Sequence, residues 1–329
     1  MTPLYGHDEA IAAFREGLDG GRLHHAWLIS GPEGIGKALF AQKAALRVLA
    51  EGQGPVGLAG LDVPDDHPAA HLAAAGSHPD LMRLERLPRE NGAGELARGI
   101  SVDQVRSLQR LFGTTASMSP WRVVIIDSID DLERAAANAL LKNLEEPPPL
   151  SLFLLVSHAA ERLLPTIRSR CRQLRLALLD DDAMTSALRF AVPDADEAEI
   201  AELRAAGQGA PGKAIAFRGL DIAGLDRAME ELARQGDPSN ARRSALAQGL
   251  APKAAQPRYE AFLARAPSLI AAKAKERKGA ALAEALRLWE RAQSLASSAI
   301  HLSLEPQSVV FELAGMLASL APLKRTADG

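Results

Sequence analysis

Cysteine is nearly missing: Cys171 is the single one in 329 residues. One thiol cannot close an internal disulfide, and no cysteine cage for zinc can be built from it. That usage fits a reducing compartment, and a cytoplasmic location is expected. Apolar runs stay short of the roughly 18 residues that would span a bilayer. The opening MTPLYGHDEA lacks the basic segment and apolar core of a secretory signal. No membrane association is expected. A large excess of either charge is missing too: the formal net charge is −3, which argues against coating nucleic acid by bulk charge. Aromatics make up only 4%, while alanine, which loses no side-chain entropy in a helix, is abundant. What remains, 47% hydrophobic and 24% charged residues, is the balance of a globular chain long enough for two or three domains.

Three regions are expected. The first runs to about Leu178 and alternates strands with helices. HAWLIS (His25–Ser30) is a short apolar run leading into a glycine turn, and ALFAQKAALRVLA continues it as a helix. Glu51 to Asp80 is rich in glycine and proline and contains no Lys or Arg; it reads as a surface insertion with one short helix, held by apolar packing. LMRLER (Leu81–Arg86) reads as a strand, and PRENGAGELARG as a loop tip. ISVDQVRSLQRLF predicts one helix opened by a Ser101/Gln104 capping box, with Val102, Val105, Leu108 and Phe112 on its apolar face. RVVIID (Arg122–Asp127) and SLFLLVS (Ser151–Ser157) are apolar on consecutive residues, the pattern of strands buried on both faces of a parallel sheet. Between them LERAAANALLKNLEE predicts a helix stopped by Pro147, Pro148 and Pro149. LLPTIRSRC reads as a turn with a short helix, and RQLRLALL as a last strand. The second region, 179–220, is a small helical unit; the third, 221–329, is wholly helical, with TADG frayed at its end.

The chemistry concentrates in three places. In GPEGIGKALF, Gly31, Gly34, Gly36 and Lys37 make a phosphate loop between a strand and a helix, where backbone N–H groups and the helix N-terminus cradle anions. Ala38 stands where a Ser or Thr hydroxyl ligates Mg²⁺. Asp127, at the end of a buried strand, is placed to hold the water shell of a metal, or to cap the next turn. Ser128 follows where a Glu would polarise the attacking water, and Asp130 and Asp131 lie off axis. With both the hydroxyl and the base missing, efficient hydrolysis in this chain is not expected. In and just after PTIRSRC, Arg168, Arg170 and Arg172 are either a solvated face or the source of an arginine that stabilises charge on a neighbouring γ-phosphate.

HHAWLISGPEGIGKALFA, RVVIIDSIDDLERAAANALLKNLEEPP and LLPTIRSRCRQL, in that order, resemble the bacterial clamp-loader AAA+ ATPase family over Leu4 to about Leu178. The likeness continues more weakly through GQGAPGKAIA. It implies an α/β AAA+ P-loop domain (a parallel sheet with helices on both faces), a small helical lid, and an all-α collar that joins a five-subunit ring. It implies a stator that helps load a sliding clamp onto primed DNA, with gamma/tau and delta subunits as partners in a hetero-oligomer. Ser169, Arg170 and Cys171 match the family's Ser-Arg-Cys motif, which makes Arg170 a trans-acting finger. Ser157 matches the first sensor position and Lys213 the second; each is also readable as an ordinary strand-end hydroxyl and an ordinary surface lysine. Gly6 and His7 lie where the family's N-terminal segment approaches adenine. The loop suits ATP or ADP, with Mg²⁺ poorly supported. Many relatives carry four zinc-binding cysteines where this insertion has none, and His67, His71 and His78 are not expected to replace them. No acid pair suits nucleotidyl transfer, so any polymerase (nucleotidyltransferase) activity belongs to the holoenzyme. An ATP-hydrolysing motor subunit of the same loader and a stand-alone P-loop enzyme are the alternatives.

Overall fold

A computed structural model describes residues 2–89, 96–302 and 304–322. The tip of the PRENGAGELARG loop and the TADG terminus lie outside the described residues. The chain divides into two compact units, Met1–Lys213 and Ala214–Gly329.

The first unit is built on five parallel strands: β1 (Ala26–Ser30), β2 (Leu81–Leu84), β3 (Arg122–Asp127), β4 (Ser151–Ser157) and β5 (Arg172–Arg175). Their order across the sheet is β2-β3-β4-β1-β5. The two expected core strands are adjacent, with Val124 opposite Phe153 and Ile126 opposite Leu155. Alternation along each strand feeds two cores. Leu152, Leu154 and Val156 join Trp27, Ile29, Phe14 and Phe40 on one face. Phe153 and Leu155 join Leu28, Ile126, Leu140, Ile167 and Cys171 on the other. Consecutive apolar residues are therefore required, because both faces are covered by helices.

Three expected elements are shorter than predicted, the first being β2, which stops at Leu84 and not Arg86. The capping box at Ser101 and Gln104 is present, but the helix breaks into Val102–Arg106 and Leu108–Gly113. At the break the Ser107 hydroxyl donates to Gln104 O at 2.6 Å, competing with the helical bonds. The last strand stops at Arg175. Leu176 N still donates to Ser30 O at 2.8 Å, but β1 ends there, so the chain has no further edge to follow.

The insertion folds around a helix, Pro68–Ala74. Val63, Ala69 and Ala70 pack on Leu46 and Ala50 as a small apolar core. A polar clamp adds to it. Arg47 is buried, and its guanidinium donates to Leu58 O at 2.7 Å, Asp62 O at 2.5 Å and the Glu51 carboxylate at 2.7 Å. His67 caps the short helix through Ala69 N, and His78 accepts from Asp80 N. Among the described residues no group of three or more His, Cys, Asp or Glu side chains is gathered as a metal site. Likewise no described helix is long and apolar enough to cross a membrane.

Helices Asp181–Ala191 and Glu197–Gly207 belong to the first unit, which ends inside the helix Pro211–Ala216. The second unit comprises helices Ile222–Gln235, Ala241–Leu250, Gln256–Lys275, Gly279–His301 and Pro306–Ala318. Leu225, Met229, Phe262, Ile270, Val310 and Leu313 are among its buried residues. In the basic KAKERK segment, Lys273 pairs with Glu230 at 3.2 Å.

Candidate nucleotide site and arginine turn

β1 delivers the chain into the glycine loop, and helix Lys37–Glu51 takes it out. Two glycines are demanded by close approach. Gly31 has φ 145°, and a Cβ there would lie 2.4 Å from Leu176 O. Gly34 has φ 78°, and a Cβ would lie 2.7 Å from Lys213 N. Gly36, with φ 98°, is the N-cap of the helix. Lys37 is 3% exposed and curls back onto the loop, its Nζ donating to Gly31 O at 2.8 Å and Pro32 O at 2.6 Å. Burial lowers its pKa, against the opposing pull of Glu33, Asp130 and Asp127. Ala38 sits in the first turn with only a methyl group to offer.

The N-terminal segment closes on the same loop. His7 Nε2 lies 2.8 Å from Ile35 O; a carbonyl only accepts, so this nitrogen carries the proton. Burial lowers the His7 pKa. Gly6 lies against Leu179 and Ala183. From the other side, Gly212 N donates to Gly34 O at 2.8 Å. This sets the Lys213 backbone beside Gly34 while leaving the Lys213 side chain exposed.

At the strand ends the acids are already engaged. Asp127 Oδ2 receives Arg83 Nη2 from β2 at 2.8 Å. The Asp130 carboxylate takes four donors, Ser128 Oγ at 2.6 Å, Ser157 Oγ at 2.9 Å, His158 N at 2.7 Å and Ala159 N at 3.2 Å, while its own N–H donates to Ser128 Oγ at 3.2 Å. Partial burial would push this carboxyl up, but the bonds from Ser128, His158, Ser157 and Ala159 together hold it below the usual carboxylate range. Ser128 and Ser157 are thus joined through Asp130, a bridge that sequence reasoning missed. Asp131 turns away to Arg86 at 3.1 Å.

The arginine turn is a separate cluster. Helix Pro165–Arg168 is capped by Ser169, whose Oγ donates to Thr166 O at 3.1 Å. Arg170 Nη1 donates to Thr166 O at 2.8 Å, and Nη2 pairs with Glu145 Oε1 at 2.7 Å. Arg172 instead stands over the Trp27 ring, 4.8 Å from its centroid, and Arg168 is half-buried. Cys171 anchors the turn in the core, and burial pushes its thiol up to about 12.

A phosphate fits this loop: positive-φ glycines at 31, 34 and 36 lead the backbone into the N-terminus of helix Lys37–Glu51, and Lys37 supplies the cation. Mg²⁺ fits poorly, because Ala38 has no ligand and Asp127 is taken by Arg83. The site and sheet therefore define a P-loop α/β nucleotide-binding domain. A family model described as DNA polymerase III, delta subunit, matches residues 6–180, just over half the chain. The chain belongs to that family. It is 38% identical to DNA polymerase III subunit delta' of Pseudomonas aeruginosa over 205 residues, 62% of this chain and 59% of the relative. It is 35% identical to DNA polymerase III subunit delta' of Escherichia coli over 203 residues, 60% and 55% of the two chains. DNA polymerase III subunit gamma of Buchnera aphidicola is 29% identical over 186 residues, 56% and 47%. The matches span about half to three-fifths of these relatives' lengths.

Proposed function

We propose that this chain is a delta prime-like stator of a bacterial replicative clamp loader. It helps place the sliding clamp on primed DNA and works in a hetero-oligomer with gamma/tau and delta subunits. Its own loop holds ATP or ADP through Gly31, Gly34, Gly36 and Lys37 without efficient hydrolysis. Its catalytic contribution is Arg170, offered to the nucleotide of a neighbouring subunit. The observation that carries this reading is a division of parts: Ala38 and Ser128 replace the metal hydroxyl and the general base, while the Arg170 guanidinium is kept at the surface by Thr166 and Glu145. The family membership supports it.

When bound, the nucleotide's phosphates supply the negative charge that the cradle neutralises. The residues of this chain bind and orient. Loop N–H groups face the anion, Lys37 brings a positive charge, and the N-terminal segment carrying His7 closes one side. Region 221–329 serves as the ring-joining collar. The test is ATP turnover by the isolated chain and by the reconstituted loader. Steady hydrolysis by the isolated chain, abolished by Lys37→Ala, would sink the stator reading. Deleting the region after about Leu220 should prevent ring assembly, and normal assembly of the truncated chain would contradict the collar role.

A further inference from the structure

The run Pro147–Pro149 ends a helix and also removes three hydrogen-bond donors. In a helix each N–H bonds the carbonyl four residues back, and proline has no N–H. The carbonyls of Asn143, Leu144 and Glu145 are therefore followed by Pro147, Pro148 and Pro149 at that spacing. For Leu144 the shorter, three-residue alternative fails as well, because that residue is Pro147. Such orphan carbonyls need another donor.

For Leu144 the donor comes from outside the helix. His25 Nε2 lies 3.1 Å from Leu144 O. The carbonyl can only accept, so Nε2 carries the proton. His25 is itself fixed to the sheet. Its carbonyl accepts Phe153 N at 2.7 Å at the entrance to β1 and β4, and its ring stacks on His24 with centroids 4.5 Å apart. The residue after Leu144 is Glu145, the partner of Arg170. Both side chains of that pair are partly exposed, at 33% and 48%. A pair so open to water holds the guanidinium only as firmly as its two ends are placed. Its geometry is set by the backbones that carry it.

We propose that His25 is a positioning residue for Arg170: it supplies the donor that the proline run removes, fixes the helix end bearing Glu145, and so sets where the guanidinium stands. The path runs from the sheet, through one imidazole and one carbonyl, to a surface arginine. It rests on the reading of Arg170 as a trans-acting finger, and it adds a part in the HHAW segment beside that finger.

The test uses the full chain assembled with its partner loader subunits, clamp and primed DNA. ATP turnover is measured for His25→Ala, His25→Gln, Glu145→Gln, Arg170→Ala and the pair His25→Ala/Arg170→Ala, with a thermal melt of each chain. We expect His25→Ala to lower kcat about fivefold, the scale of one lost hydrogen bond, with the KM for ATP unchanged. His25→Gln keeps a side-chain N–H donor and should recover most of the rate. Glu145→Gln changes only a surface side chain and should lower kcat by a similar factor, so the proposal stays testable even if His25→Ala folds poorly. In the Arg170→Ala background, His25→Ala should cost nothing more. Arg170→Ala slow with His25→Ala and Glu145→Gln at full rate would overturn the positioning role alone. An equal further loss in the double variant would overturn it too. Full turnover by Arg170→Ala would remove the finger reading, and this proposal with it.

Discussion

Glu145 Oε1 and Arg170 Nη2 stand 2.7 Å apart. One belongs to NALLKNLEEPP and the other to PTIRSRC, so an ion pair joins the two most distinctive stretches of the chain at the surface, above the core they share through Leu140, Ile167 and Cys171. A guanidinium carries five N–H donors, so its bonds to Glu145, Thr166 and Ser169 still leave others for a second anion.

That arrangement predicts that shape as well as charge matters at position 170. Arg170→Ala and Arg170→Lys should both slow ATP turnover at the neighbouring site of the assembled loader, by about 10³-fold for alanine. Lysine keeps the charge but not the fork that satisfies Thr166 and Glu145 together. Turnover near the native rate for Arg170→Lys would show that a point charge suffices.

Nucleotide titration of the isolated chain should reveal a loop that binds without its metal. We expect similar affinity for ADP with and without Mg²⁺, and a loss of about tenfold or more in Lys37→Ala, the effect of removing a charge-assisted contact. Ala38→Ser should not create hydrolysis, because Ser128 remains where the base is needed and Arg83 still holds Asp127 at 2.8 Å. A strong Mg²⁺ requirement for binding would contradict this.

The insertion depends on Arg47. Arg47→Met keeps much of the volume but strands Leu58 O and Asp62 O and leaves Glu51 with Arg15 as its remaining cation. Breaking a buried charge network of this kind costs about 3 kcal/mol. Urea unfolding should show that loss, with proteolysis concentrated between Glu51 and Asp80. An unchanged midpoint would mean that the apolar packing of Val63, Ala69 and Ala70 is enough by itself.

Asp130 should make stability depend on pH. Its carboxyl is held below the usual range in the folded chain, so its contribution is present above the unfolded value, near 4, and is lost as pH falls through the folded one. Asp130→Asn should cost about 1–2 kcal/mol at pH 7. The gap between variant and native protein should narrow in acid below about pH 4. A gap that stays constant with pH would assign the loss to shape alone.

Much of this molecule is legible in local sequence. RVVIID and SLFLLVS announce a sheet covered on both faces, and glycine spacing between a strand and a helix announces the loop, because both signals arise within a few residues. The missed parts come from distant partners. Arg83 meets Asp127 across 44 positions, and Asp130 reaches Ser157 across 27. Arg47 lies in a helix whose sequence pattern is dominated by apolar residues, and its acceptors Leu58 O and Asp62 O come from the insertion beyond. Ser107 broke a helix that periodicity alone would continue. Each depends on which strand lies beside which, and that order is settled only when the sheet closes.

Cys171 has a practical consequence. Cys171 is buried, and burial pushes its thiol up to about 12, so little of it is thiolate near pH 8. The folded chain should therefore react slowly with alkylating dyes at this position. A single cysteine introduced at an exposed position, such as Phe190 at 49% exposure, should take a fluorophore selectively in the otherwise native protein. Its labelling rate would then report from that one chosen point of the surface.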